Sequence, residues 1–84
     1  MKEKELVALG FERVDVSAEE SGDTAFHYYI YDFGNRTFSL ISNANDEAVD
    51  DKWYIEVFED ESIQFTNSSD IMALIDIINR NIVK

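Results

Sequence analysis

Residues 67–84, NSSDIMALIDIINRNIVK, decide the fold. Ile71, Leu74, Ile75, Ile78 and Ile82 recur at the spacing of a single helical face. Asn67 or Ser68 can cap the start by offering a side-chain oxygen to a free first-turn N–H, and with Asn67 as cap Asp70 falls near the capping-box position. Arg80 and Lys84 place cations at the negative end of the helix dipole. A helix with one apolar face must cover something, and the preceding chain offers strands. The stretch therefore predicts a lid over a sheet.

The strands can be read backwards from that lid. Ser62 to Thr66 is a short last strand with Ile63 and Phe65 inward, preceded by a turn at Glu59-Asp60-Glu61. Lys52 to Glu59 is a strand with Trp53, Ile55 and Val57 inward and Tyr54, Glu56 and Phe58 outward. Asn43 to Asp51 is an acidic loop. Residues 25–33 and 36–42 form a hairpin around Gly34-Asn35, because glycine accepts positive φ at the first position of a two-residue turn. That turn pairs Phe33 with Arg36, Tyr31 with Phe38, Tyr29 with Leu40 and His27 with Ser42, and places the Tyr29–Tyr31–Phe38–Leu40 face in the core. One extra turn residue would exchange the two faces. Ser17 to Thr24 reads as a second polar loop. Phe11 to Val16 is the first strand, with Val14 and Val16 alternating with Arg13 and Asp15 so that one face is buried and the other wet. Residues 2–9 read as a helix ended by Gly10, with Phe11 folding back on Leu6.

The expected fold class is α+β: an antiparallel meander sheet of about five strands with N- and C-terminal helices packed on one face (α-β-β-β-β-β-α), in one domain spanning 1–84. A chain of 84 residues buries only about 60–65% of its unfolded surface, and its core rests on six Phe, four Tyr and one Trp.

The net charge of −11 is concentrated in the middle. Twelve acids lie between Glu19 and Glu61, against Arg36 and Lys52 alone. Direct nucleic-acid binding is not expected, because a polyanion repels such a surface. There is no Cys, hence no disulfide framework or thiolate metal site. No apolar run reaches membrane-span length and the N-terminal residues lack a signal-peptide core, so the expectation is a cytoplasmic protein without membrane contact. In a meander, the 17–24 and 43–51 loops share one end of the sheet, which gathers Glu19, Glu20, Asp23, Asp46, Glu47, Asp50 and Asp51 into an acidic edge.

Catalytic signals are weak. His27 is the only histidine, and no serine near it sits in a nucleophile motif such as G-x-S-x-G. A packed imidazole is the simpler reading. Read from Asn43 as an EF-hand loop, the second acidic loop puts Ala48 where glycine is needed and Tyr54 where glutamate is needed, so the calcium pattern fails. No catalytic, metal or cofactor residue is assigned.

The segments Leu6-Val7-Ala8-Leu9-Gly10-Phe11, Leu40-Ile41-Ser42-Asn43 and Trp53-Tyr54-Ile55-Glu56-Val57-Phe58, with the closing Ile/Leu helix, resemble small uncharacterised acidic proteins of bacteria and their mobile elements. The resemblance implies a fold of this class and brings no activity with it. It also raises an analogy with phage-type acidic inhibitors that imitate the DNA backbone.

With both helices on one side, Tyr28, Ile30, Ile41, Tyr54 and Phe58 remain on the other. The expected function is a non-enzymatic interaction module that uses this face to bind an unknown protein partner or its own copy. The alternatives are a nucleic-acid mimic that turns its acidic edge toward a basic DNA-binding protein, and a weakly calcium-responsive domain.

Overall fold

A computed structural model describes residues 1–22, 24–34, 39–57 and 60–83. The chain runs α1 (Glu3–Ala8), β1 (Glu12–Val16), α2 (Ala18–Ser21), β2 (Phe26–Asp32), β3 (Ser39–Ser42), a 3-10 turn (Val49–Asp51), β4 (Ile55–Val57), β5 (Asp60–Phe65) and α3 (Ser68–Arg80). The five strands form one antiparallel sheet in chain order. The fold is α+β, an open meander with helices at both ends of the chain.

Helix α3 forms as its sequence dictates. The Asn67 side chain accepts the Ser69 N–H at 2.8 Å, satisfying a first-turn donor. Ile71 is fully buried and Leu74, Ile75, Ile78 and Ile82 pack half-buried around the same core. Arg80 pairs with Asp76 one turn back at 3.1 Å; Lys84 lies outside the described residues. Helix α1 ends in a Schellman motif. The Phe11 N–H donates to the Leu6 carbonyl at 3.0 Å and the Gly10 N–H to the Val7 carbonyl at 3.1 Å, with Gly10 at φ 96°. Leu6 and Phe11 then enter the core together with Tyr29, Phe33, Leu40, Ala48, Trp53, Ile55 and Ile71. Leu6, Ile71 and the inward residues of the strands share one cluster, so α1 and α3 cover the same side of the sheet.

The structure alters several details. In the hairpin, Tyr31 pairs with Leu40, Ile30 with Ile41 and Asp32 with Ser39. This is a slip of two residues from the expected register, and side chains alternate with period two, so every face is kept. Residues 35–38, including Arg36 and Phe38, lie outside the described residues. The 17–24 segment is not simply a loop: Ser17 Oγ accepts the Glu20 N–H at 3.2 Å, starting the one-turn helix α2, which Gly22 ends at φ 76°. Val14 and Val16 pair with Tyr28 and Phe26 on the face away from α1 and α3, while Arg13 and Asp15 stand on the helix side. Strand β5 begins at Asp60, which pairs with Val57, and a register shift after Glu56 breaks the regular pairing. Ile63, expected inward, is 42% exposed, whereas Phe65, opposite Ile55, is packed against the core.

Candidate functional site

The side of the sheet away from α1 and α3 is built from direct cross-strand neighbours. Glu12, Ile30, Ile41, Glu56 and Gln64 form one row across all five strands, each paired with the next. Val14 with Tyr28 and Val16 with Phe26 make two shorter rows beside it. Tyr54 joins this side by alternation with Glu56. None of these side chains belongs to the core cluster, and the residues buried by α1 and α3 all do. Tyr28, Ile30, Ile41 and Tyr54 therefore stand on one side of the sheet. Each is half-buried, and Glu47 of the 43–51 loop stands beside Ile41 and Tyr54. Phe58 lies outside the described residues.

A cavity of about 400 Å³ opens on this face, lined by Ile41, Tyr54, Glu56, Gln64 and Glu47 among others. Glu47 is oriented by accepting the Ala44 N–H at 3.2 Å. Apolar and aromatic groups thus sit between carboxylates at Glu12, Glu47 and Glu56.

The acidic end is assembled in part. Ser17 and Glu20 from the α2 segment and Asn45 from the 43–51 loop line one cavity of about 330 Å³, so the two loops do share an end of the sheet. Asn45 holds its loop there: its N–H donates to the His27 carbonyl at 2.9 Å and its Oδ1 accepts the His27 N–H at 2.8 Å. Asn43 is buried and closes the loop, its Oδ1 accepting the Tyr54 N–H at 3.0 Å and its Nδ2 donating to the Lys52 carbonyl at 3.3 Å. Glu19, Glu20, Asp46, Glu47, Asp50 and Asp51 are all exposed. Asp50 and Asp51 stand farther along, both at positive φ in the 3-10 turn before Trp53. Asp23 lies outside the described residues. Among the described residues, no three His, Asp or Glu side chains come together as a metal-binding group.

One polar cluster gave no sequence signal beyond its residue types. Glu3 Oε2 accepts the Tyr29 hydroxyl at 2.8 Å and lies 2.7 Å from His27 Nε2. The His27 ring also lies against Trp53 and edge-on to Tyr29. The bond from the Tyr29 hydroxyl, followed by that from His27, holds the Glu3 carboxyl below the usual glutamate range. Burial, followed by the neighbouring Glu3, pushes the Tyr29 hydroxyl up. The cluster joins α1 to β2 through groups more than twenty residues apart, which no local pattern reveals. It places His27 in a packed, hydrogen-bonded position.

No helix among the described residues is long and apolar enough to cross a membrane. No protein-family model, curated protein or solved structure matches the chain.

Proposed function

We propose that this protein is a non-enzymatic interaction module whose open sheet face receives a partner protein presenting apolar groups among lysines and arginines. The observation that carries this reading is the unbroken Glu12–Ile30–Ile41–Glu56–Gln64 row, flanked by Tyr28 and Tyr54, on a side that neither α1 nor α3 covers. Apolar centres rimmed by charge are how protein interfaces are organised. The rim here is acidic, which favours a cationic partner and suppresses anionic ones. The non-enzymatic part rests on His27, whose ring is engaged by Glu3, Tyr29 and Trp53 in holding α1 to the sheet.

The shared cavity of the α2 segment and the 43–51 loop favours one rival reading, in which the acidic end engages a basic DNA-binding protein as a nucleic-acid mimic. Quantitative capture from lysate separates the two. Under the face reading, Tyr54→Ala loses the proteins that wild type captures, and the triple variant E19Q/E20Q/D46N keeps them. The reverse pattern contradicts the face reading and supports the acidic end.

A further inference from the structure

We infer that β1 is a self-complementary edge through which two copies of this chain pair antiparallel about Val14, joining their sheets. Among the described residues, strand β1 ends the sheet, with β2 on one side and no strand on the other. The direction of its outward backbone groups follows from β2. The His27 N–H and carbonyl both bond Asn45, and the Tyr29 N–H donates to Ser42 Oγ, so odd residues of β2 point their polar groups away from β1. Even residues of β2 then bond β1, through Ile30 with Glu12, Tyr28 with Val14 and Phe26 with Val16. Arg13 and Asp15 are left with their backbone N–H and carbonyl groups directed outward, and an outward row of this kind is a template for another strand.

The side chains make a second copy the fitting occupant. A two-fold axis at Val14 sets Arg13 opposite the other copy's Asp15, and Asp15 opposite its Arg13, in bonding positions of the new ladder. Opposite charges directly across a ladder are favourable and like charges are not. Arg13 and Asp15 already pair within the strand at 3.0 Å and are 51% and 68% exposed, so both remain open to a copy. The result is an isologous interface, as two-fold symmetry requires. The opposite edge has no such symmetry, because β5, with sequence DESIQF, carries no cation at all. Two chains of net charge −11 repel at long range, so pairing strengthens as salt screens them.

This edge is distinct from the open face, and sedimentation velocity of the full chain tells them apart. The expected result is a monomer–dimer equilibrium, with the dimer fraction rising between about 0.1 and about 0.5 M sodium chloride as screening shortens. R13D sets like charges opposite each other and loses the dimer, whereas R13D/D15R restores the complement and recovers it. Circular dichroism checks that each variant folds. If R13D does not, D15P replaces it, since proline is tolerated where an edge N–H faces solvent. A wild type monomeric at every concentration and salt level overturns the inference. So does a dimer that R13D leaves intact, or an R13D/D15R protein that stays monomeric. A dimer kept by R13D and lost in Tyr54→Ala would belong to the open face instead.

Discussion

The Tyr29 hydroxyl donates to Glu3 Oε2 at 2.8 Å, tying the first turn of α1 to β2. Helix α1 is only six residues long, too short to persist on its own propensity. Its place on the sheet depends on Leu6 in the core and on this bond beside it.

The bond has a pH signature. Tyr29 and then His27 depress the folded pKa of Glu3, so the native state binds fewer protons on this group than the unfolded chain does. Its stabilisation is present above the unfolded pKa and is lost as pH falls through the folded one. Thermal melting of wild type and Glu3→Gln should differ at pH about 6, with the variant less stable, and the gap should shrink as pH falls below the ordinary glutamate range. A gap that stays constant over this range would show that the ionised carboxylate contributes nothing.

Ile71 is the anchor of the lid. It is fully buried, whereas Leu74 beside it is half-buried. Ile71→Ala should cost about 2–5 kcal/mol, as for deletion of a fully buried aliphatic group, and Leu74→Ala less. Urea denaturation of both variants measures the order.

Asn43 bridges Lys52 and Tyr54 from a buried position. Asn43→Ala leaves the Tyr54 N–H without its side-chain acceptor, and stability should fall by about 1–3 kcal/mol, the cost of an unsatisfied buried group. Hydrogen exchange should show the Tyr54 amide losing protection more than those of β2.

The acidic end should respond to ionic strength and not to a particular cation. Added sodium chloride should raise the melting temperature by screening the −11 net charge. Millimolar calcium should do no more than equal magnesium, since a native-state site would add its own mass-action stabilisation. A calcium-selective rise would establish a site in these loops.

Much of this architecture was legible because its signals are local. The Ile71–Ile82 spacing, the Gly10-Phe11 helix stop and the alternation around Ile55 each specify their element without reference to distant residues. A two-residue turn at Gly34-Asn35 predicts a register two residues from the observed one, yet Tyr29, Tyr31 and Leu40 keep their face because the offset is even. Val14 and Val16 could not be oriented from the strand alone, since the side of the sheet they occupy is set by pairing with Tyr28 and Phe26. Helix α2 did carry a signal, the Ser17–Glu20 capping pair, concealed by its polar composition. The Glu3–His27–Tyr29 cluster carried none, because only the fold brings α1 beside β2.

The most direct test of the open face is site-specific photocrosslinking. A benzophenone-bearing residue replaces Ile41 on that face, Ile77 on the exposed side of α3, or Glu20 at the acidic end, and each protein is irradiated in lysate. A discrete protein adduct from position 41, absent from positions 77 and 20, is the outcome predicted. Adducts from position 77 or 20 with none from 41 would place the interaction elsewhere and contradict the account.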